Sequence, residues 1–516
     1  MKKWASTNIN GLFHHGRSRI LLAALLVALA MVYAPVARAA GVVSSCDEAS
    51  LLSAISGGGT VTFACSGTIT LTATITISAD TTIDGAGQNV TISGGFAMQV
   101  ILVSVGTQLK LNKVTIAYGF SDFGGGILNL GTLIVSNSTF SGNWSRTYGG
   151  GGILNAVGAV LTVSNSTFSG NYANQNGGGG ILNYATLTVS NSTFSENGGQ
   201  LGGGISTFGP LTVSNSTFSG NSAEISGGGL INGQAAITVS NSTFSGNGAG
   251  RGGSIANFGP LTLRNTIVAS SPSGGNCANF VSLTDDGGNL DTDGTCVGTI
   301  SPNPLLGPLQ NNGGPTQTLA ISMASPAFAG GNPVNCPPTD QRGVLRPQFM
   351  ACDIGAYEFD TANSLLTAVR NDVLTLIPTG NQHDQTTLSA VASALASALN
   401  SHNWQGTDGN HLNPSEGQDV FELLVEGVSG RLRQLQKASP PSAIPPQTLQ
   451  TLLNNVTLAG RTLAAVAISD AAGGDPTKLA QANALVAKGD ADAAAGKSVS
   501  AIVDYEFAWA LVQRDE

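Results

Sequence analysis

Charged side chains are scarce in this sequence, since Asp, Glu, Lys and Arg together make up 10% of its 516 residues. Catalytic and metal sites are built mainly from such side chains, from histidine and from cysteine. No histidine lies between His15 and His383, and the six cysteines form no C-x-x-C motif. We therefore expect no metal site, no cofactor and no catalytic residues.

Long hydrophobic runs are also missing beyond the N-terminus. No stretch after residue 39 approaches the roughly 20 continuous apolar residues of a membrane helix, so we expect no transmembrane segment in the mature chain. Residues 1–39 instead have the pattern of a signal peptide, with a basic region, the apolar run 20–33 and a small-residue cleavage site ending at Ala39. Cleavage would remove five of the 21 basic residues and leave 16 against 30 acidic ones. That acidic excess disfavours nucleic acid as a partner.

The six cysteines all lie after this leader, so an exported chain would form disulfides. Six cysteines allow 15 pairings, and sequence alone does not choose among them. The simplest choice joins each cysteine to its neighbour in the sequence, because these disulfides close the shortest loops. The predicted pairs are Cys46 with Cys65, Cys277 with Cys296, and Cys336 with Cys352.

A repeated unit fills the middle of the chain. The motif L-T-V-S-N-S-T-F-S-G-N, with small variations, recurs every 24–28 residues and alternates with G-G-G-I-L-N. The pieces L-T-V and S-T-F alternate apolar with small polar residues, as strands with one buried face do. The period is too short for a propeller blade, and the apolar residues are not spaced by three and four as in helical repeats. We therefore predict a mainly β solenoid of stacked parallel coils, each with three short strands.

Stacking would place equivalent residues of successive coils directly above one another. We predict an internal aromatic ladder formed by Phe140, Phe168, Phe194, Phe218 and Phe244. We also predict an inward amide ladder, with left-handed backbone, formed by Asn137, Asn165, Asn191, Asn215, Asn241 and Asn265. Each N-S-T triplet is also a glycosylation sequon, but an inward amide could not accept a sugar.

The flanks of the repeats predict caps and a second domain. The β solenoid spans 40–359, with an N-terminal cap at 40–58 that contains a helix capped by Asp47, and a disulfide-stapled C-terminal cap at 271–359. Residues 360–516 are rich in Ala, Leu and Gln and space their apolar residues by three and four. This composition predicts an all-α domain.

Three groups of polar residues could carry chemistry, each with a more ordinary interpretation. Asp285, Asp286, Asp291 and Asp293 could bind calcium, but a solvated turn is the simpler interpretation. The group Asp340, Arg342 and Arg346 could bind a carboxylate or form an internal salt bridge. His411, near Asp408 and Asn410, could be a site residue or a structural one. We favour the structural interpretation for all three.

The motifs F-S-G-N and G-G-G-I-x-N resemble the repeats of polymorphic outer-membrane proteins. The flanking segments S-C-D-E-A-S-L-L-S-A-I-S-G-G-G-T-V-T-F, C-P-P-T-D-Q-R-G-V-L-R-P-Q and C-D-I-G-A-Y-E-F resemble those of the choice-of-anchor Q domain proteins. The resemblance covers about 42–359 and implies a right-handed, single-stranded, pectate-lyase-like β-helix in an exported bacterial protein. The family's sorting element varies, and we recognise none after the helical domain.

The expected function is that of a secreted or cell-surface structural and interaction protein, adhesin-like or part of the envelope. Its ligands would be glycans or cell-surface proteins. Because β-helices also include polysaccharide lyases and hydrolases, a carbohydrate-active enzyme is the alternative. The charged residues of the regular coils do not recur in register, which favours the first expectation. These residues are Lys113, Asp122, Arg146, Glu196, Glu224, Arg251 and Arg264.

Overall fold

The computed structural model describes residues 41–175, 177–322, 325–347, 351–405, 409–439, 441–471 and 474–513. The predicted signal peptide lies outside these residues and stays a prediction. The chain divides into two compact units, the first ending at Phe359 and the second beginning at Asp360. Each unit is described by itself.

The first unit is a parallel β-helix, as the 24–28-residue period predicts. In the described residues, successive coils pair in four parallel sheets of 11, 10, 9 and 6 strands, which we name sheets A, B, C and D. Sheet D was not predicted. It adds a fourth strand of two to five residues to six coils, in five of them directly after F-S-G-N or F-S-E-N and in the first after I-A-Y-G.

The strands of each sheet follow the chain in order. Sheet A contains Gly41–Val43, Gly59–Phe63, Thr81–Asp84, Gln108–Asn112, Thr132–Ser136, Val160–Ser164, Thr186–Ser190, Leu211–Ser214, Ile237–Ser240, Leu261–Arg264 and Leu283–Asp285. Sheet B contains Gly67–Thr70, Val90–Ser93, Val114–Ala117, Thr139–Ser141, Thr167–Ser169, Thr193–Ser195, Thr217–Ser219, Thr243–Ser245, Ile267–Ala269 and Leu290–Asp291. Sheet C contains Ile75–Ile77, Ile101–Val103, Ile127–Asn129, Ile153–Asn155, Ile181–Asn183, Ile205–Thr207, Leu230–Asn232, Ile255–Asn257 and Cys277–Asn279. Sheet D contains Phe120–Ser121, Trp144–Ser145, Tyr172–Ala173, Gly198–Leu201, Ser222–Ser226 and Gly248–Ala249.

The interior of the coil follows from the alternation along each strand. In Thr132–Ser136, Leu133 and Val135 are buried, while the residues between them are partly exposed. The five phenylalanines of the predicted ladder are fully buried, and their rings stack at 4.4–4.8 Å between centroids with 3–7° between planes. Offset stacking at this distance adds to the burial of each ring.

The N-terminal cap contains the predicted helix, Glu48–Ile55. Asp47 accepts a 2.8 Å hydrogen bond from the Ser50 backbone amide, and Leu51 is fully buried in the core of the coil. The helix thereby covers apolar side chains at the end of the stack. A solenoid needs such a cover because its terminal coil has no neighbour on one side.

The six asparagines of the predicted ladder have the predicted left-handed backbone, but their side chains do not form the predicted inward ladder. The five N-S-T asparagines and Asn265, which begins N-T-I, all have a left-handed φ of 43–51°. Asn137, however, is exposed, and its amide bonds Asn112 instead of the next N-S-T residue. Asn215 and Asn265 are buried because residues 301–359 cover them, and their amides donate to the carbonyls of Thr339 and Asn332.

The buried amide ladder lies instead at the last residue of F-S-G-N. Its members are Asn143, Asn171, Asn197, Asn221 and Asn247, which are fully buried. Each of the first four amides donates a 2.9 Å hydrogen bond to the side-chain oxygen of the next member, and the Asn247 amide donates to the Phe218 carbonyl. G-G-G-I-L-N supplies a second, shorter ladder, in which Asn129 donates to Asn155 and Asn155 to Asn183.

We predict that Asn197→Ala lowers the free energy of unfolding by about 1–3 kcal/mol, because it leaves buried partners unsatisfied. The Asn197 amide donates to the Phe168 carbonyl and to Asn221, and its oxygen accepts from the backbone and side chain of Asn171. Chemical denaturation measures the change. Asn191→Gly is the matched control, since glycine keeps the left-handed φ and the Asn191 side-chain oxygen has no partner. Equal losses in both variants would contradict the assignment.

The predicted C-terminal cap is only in part an end cap. The coil continues through Leu290–Asp291, and residues 301–359, which we name the returning segment, then run back along the outside of sheet B. The Gln341 side chain accepts from Thr217 and donates to Thr193, while Thr243 accepts from the Ala356 amide. The segment also holds the antiparallel pair Leu309–Gln310 and Thr318–Leu319 and the 3-10 helix Pro333–Asn335.

The second unit is helical, as its apolar spacing predicts. Within the described residues its elements are the helices Ala362–Leu376, Gln382–Ala398, Gly417–Glu422, Leu423–Gly430 (a π-helix), Arg431–Gln436, Pro446–Asp470, Pro476–Ala494 and Ser498–Gln513, the 3-10 turns Ile377–Thr379 and Ser401–Asn403, and the strand pair Trp404–Gln405 and His411–Leu412. Thr361, Asn381 and Asp475 cap three of the helices. No helix in the described ranges is long and apolar enough to cross a membrane.

Candidate functional site

All six cysteines are paired, and the pairs are the local ones: Cys46 with Cys65, Cys277 with Cys296, and Cys336 with Cys352. Each bond closes a loop of 16–19 residues at one end of the coil or within the returning segment. Such bonds restrict the unfolded chain. The three bonds cross-link the N-terminal end of the coil, its C-terminal end and the returning segment, which lie outside the uniform repeats.

Two of the four aspartates of the possible calcium loop, Asp291 and Asp293, lie together and both accept hydrogen bonds from Asn276, whereas Asp285 and Asp286 have other partners. Asp286 pairs with Arg264 at 2.6 Å, and Asp285 accepts from the Asn289 side chain. Asp291 is buried, accepts from Asn276 and from the Cys296 amide, and has a pKa raised by its burial. In the part of the chain that the structure describes, no three Asp, Glu, His or Cys side chains form a group able to hold a metal.

Asp340, Arg342 and Arg346 form an internal ionic cluster in the returning segment. Arg342 pairs with Asp340 at 2.7 Å, and Arg346 lies 3.5 Å from Glu358. The side chains of both arginines and of their partners are at most 2% exposed. An external carboxylate therefore has no access, and the salt-bridge interpretation agrees with the structure.

A third carboxyl, Asp353, makes this cluster unusual. Arg346 donates to the Asp353 and Gly355 backbone carbonyls, while the Asp353 carboxyl accepts from the Ala329 and Phe359 amides. Burial and the neighbouring Glu358 raise the pKa of Asp353 to about 7. The cluster thus sets two arginines against three buried carboxyls, and this excess of acidic groups agrees with the raised pKa of Asp353.

His411 contacts another partner than the two considered from the sequence. Its Nε2 lies 2.8 Å from Oδ2 of Asp470, the last residue of the helix Pro446–Asp470. Asp408 lies outside the described residues. His411 and Asp470 also line a pocket of about 330 Å³ in the helical unit, together with Lys478 and Trp509.

The outer face of sheet A has hydroxyl side chains in register. A central column of threonines is flanked two residues further along each strand by a serine in four strands and by Arg264 in the fifth, and these side chains are exposed or partly exposed. The column consists of Thr162, Thr188, Thr212, Thr238 and Thr262. The five threonines can exchange hydrogen bonds with a ligand and are not ionisable, whereas Lys110 lies in register two coils earlier and Arg264 lies two residues after Thr262.

The repeat analysis missed an exposed aromatic cluster, which we name the aromatic corner, at the junction of sheets B and D. It consists of two groups of rings in contact, the pair Phe96 and Tyr118 and the row Phe120, Trp144 and Tyr172. Four of them are 37–58% exposed, and Phe120 is partly exposed. The sequence shows an aromatic residue directly after F-S-G-N in two coils, at Trp144 and Tyr172. The later coils have no aromatic residue at this position, so a search for repeats does not find it.

Two geometric features fix the positions of the rings in the aromatic corner. Phe120, Trp144 and Tyr172 are in register on sheet D, with centroid distances of 5.7 and 6.1 Å. The rings of Tyr118 and Tyr172 each pack on a glycine of the next coil. A Cβ at Gly142 would lie 3.0 Å from the Tyr118 ring, and one at Gly198 would lie 2.8 Å from the Tyr172 ring.

The glycine of F-S-G-N has a left-handed φ at Gly142, Gly170, Gly220 and Gly246, and Glu196 adopts the same φ where it replaces this glycine. A depression of about 600 Å³ lies at the last two of these glycines. That depression is lined by Gly220, Ser222, Glu224, Gly246, Gly248 and Pro272.

The charges beside the aromatic corner neutralise each other. Arg146 contacts Asp122 at 2.7 Å, and Thr147 donates to the same carboxylate. Hydrogen bonds from Arg146 and Thr147 hold the pKa of Asp122 down, at about 2. The Arg146 guanidinium also lies 5.9 Å from the Phe120 ring centre. A carboxylate with so low a pKa is a poor general acid near neutral pH.

A family model for the right-handed β-helix region matches residues 126–291, from the strand Ile127–Asn129 to the strand Leu290–Asp291. No curated protein and no solved structure matches the chain. The first unit is thus a right-handed parallel β-helix of the repeat type, and the resemblance to choice-of-anchor Q domain proteins stays a prediction. Such a fold fits a surface protein or a carbohydrate-active enzyme, and the fold alone does not decide between them.

Proposed function

We propose that this protein is an exported or cell-surface structural and interaction protein that displays the outer faces of its coil and performs no catalysis. The observation that carries the proposal is the in-register column of threonines on sheet A, Thr162 to Thr262, which presents hydroxyl groups without an acid or a base. The three disulfides support export, because such bonds persist in oxidising compartments.

The carboxyls of the coil support the same proposal. Polysaccharide cleavage needs an acid and a base that reach one glycosidic bond. The pKa of Asp122 is low through its pairing with Arg146, whereas Asp291 and Asp353, whose pKa values are raised, are buried at about 1% exposure. A substrate on the surface would reach Asp122 in its ionised form and would not reach the other two.

The experiment has a location arm and an activity arm in the native host. We expect the protein in the culture medium or accessible to external protease, with a mature N-terminus at Ala40 and no free thiols by mass spectrometry. We expect no release of unsaturated or reducing ends from polygalacturonate or alginate, with calcium present, between pH 5 and 9.

Two results would overturn the proposal. Free thiols and a protease-protected intracellular pool would remove the export claim. Turnover that persists through purification and disappears in Asp122→Asn would establish the carbohydrate-active alternative. Arg251→Gln is the control, since it removes an exposed charge of the β-helix several coils away from the Asp122–Arg146 pair.

A further inference from the structure

The outer face of sheet B carries a threonine column of its own. Successive strands of this sheet each place one threonine in register with the next, between residues that point into the core. The last three threonines of the column, Thr193, Thr217 and Thr243, are buried under the returning segment. The first five, which we name the bare threonines, are exposed or partly exposed: Thr68, Thr91, Thr115, Thr139 and Thr167.

The returning segment shows how this column is recognised. The Gln341 side chain accepts a 2.7 Å hydrogen bond from Thr217 and donates a 2.9 Å one to Thr193, and Thr193 donates to the Gln317 carbonyl. The backbone groups of sheet B pair along the stack, so this face bonds a partner through its side chains. A carboxamide suits two neighbouring hydroxyls because it donates and accepts at once. Carboxamide side chains and backbone carbonyls are groups that an extended polypeptide offers.

The bare threonines continue this interface with the same local structure. The N-S-T triplets that begin at Asn137 and Asn165 are identical to those at Asn191 and Asn215, which bond the returning segment, and all four asparagines have the left-handed φ. At a strand spacing of about 4.8 Å, the five bare threonines form a strip about 20 Å long. A stable interface between folded proteins covers about 800 Å² on each side. This narrow strip therefore fits a short extended segment better than a folded domain.

Aromatic and charged side chains border the bare threonines. Phe96 and Tyr118, whose ring centres are 4.8 Å apart, follow two of these strands and are 58% and 44% exposed. They offer an apolar anchor to one side chain of a partner. Asp84 and Lys113 lie at the bend beside sheet A, and Glu196 lies at the opposite bend. Because these charges have both signs, hydrogen bonding distinguishes partners here more than net charge does.

We infer that the bare threonines bind an extended segment of a partner polypeptide that carries Gln, Asn or Thr side chains. A carboxamide of the partner bonds two threonines of successive coils, as Gln341 bonds Thr193 and Thr217. An apolar side chain of the same segment packs on Phe96 and Tyr118. This inference names the kind of partner of the proposed interaction protein and thus rests on that function.

The test is selection of a phage-displayed library of random dodecapeptides on the full-length protein, followed by calorimetric titration with the enriched peptides. We expect the enriched peptides to be rich in Gln, Asn and Thr. Each threonine hydrogen bond accounts for about three- to tenfold in affinity, so the variant Thr139→Val/Thr167→Val should bind these peptides about tenfold or more weakly. Valine keeps the β-branched shape that suits the strand.

Two further variants separate a site from a general loss of structure. Thr212→Val is the matched control, because it removes an exposed hydroxyl from sheet A and should leave peptide binding unchanged. Tyr118→Gly copies the next coil, in which Gly142 follows the paired strand with a similar left-handed φ, and should weaken binding several-fold. Circular dichroism confirms that each variant keeps its β structure. Cellohexaose and chitohexaose are titrated in parallel.

The inference is overturned if no peptide is enriched, if the enriched peptides bind the Thr139 and Thr167 variant as tightly as the native protein, or if Thr212→Val weakens binding as much. Hexasaccharide binding that depends on Thr139 and Thr167 would assign this face to a glycan and equally overturn the polypeptide partner. A surface-exposed protein that binds no peptide would leave the proposed function standing and remove only this partner. Peptide binding by a protein found solely inside the cell would do the reverse.

Discussion

Phe194→Ala is expected to lower the free energy of unfolding of the β-helix by about 3–5 kcal/mol, as large-to-small changes in a packed core do. The Phe194 ring is fully buried and lies 4.8 Å from the rings of both Phe168 and Phe218. The cavity cannot collapse easily, because β pairing fixes the coils above and below it. Denaturant unfolding followed by the β signal in circular dichroism measures the loss.

The same variant also tests how the solenoid unfolds. Coils contact mainly their neighbours, so a weak rung in the middle should split the transition and make it less cooperative. Phe280→Ala is the control within the same unit, and its exposed ring should cost no more than about 1 kcal/mol. A loss below about 0.5 kcal/mol for Phe194→Ala would mean that the ladder contributes little to stability.

Periodicity allowed the ladder of phenylalanines to be predicted, because a fixed repeat states which residues stack. It does not state which of two recurring polar residues faces inward. Asn191 and Asn197 recur with the same period and are chemically identical, yet only Asn197 joins the buried amide ladder. Strand alternation settles the side of a residue within a strand, but both asparagines lie between strands, where the backbone angles of the bend decide.

The returning segment and the aromatic corner could not be predicted for a different reason, since neither repeats. Gln341 reaches Thr193 and Thr217, which lie more than 120 residues earlier in the chain, and no local pattern encodes such a contact. Trp144 and Tyr172 replace residues that are glycine or serine in the later coils. A search for what recurs passes over them, although such departures from the repeat distinguish one face of a solenoid from another.

The buried cluster of the returning segment leads to a pH-dependent stability. Asp353 has an ordinary pKa of 3.8 when unfolded, and burial together with the neighbouring Glu358 raises its pKa to about 7 in the folded protein. Between these values the folded state holds a proton that the unfolded state has lost. Stability from this group is therefore greatest below about pH 4 and declines as the pH rises through 7.

Asp353→Asn should remove this dependence. The amide loses one acceptor for the Ala329 or Phe359 backbone amide, so the variant is less stable than the native protein at pH 4. The difference between native and variant free energies of unfolding should nevertheless shrink by up to about 4 kcal/mol between pH 4 and 8. Denaturation curves at several pH values measure this difference.

Asp122→Asn is the control of opposite sign, because the lowered pKa of Asp122 gives stability that is lost as the pH falls from about 4 to 2. A constant difference between native protein and Asp353→Asn would show that Asp353 is ionised throughout, with Arg346 compensating for its charge in full.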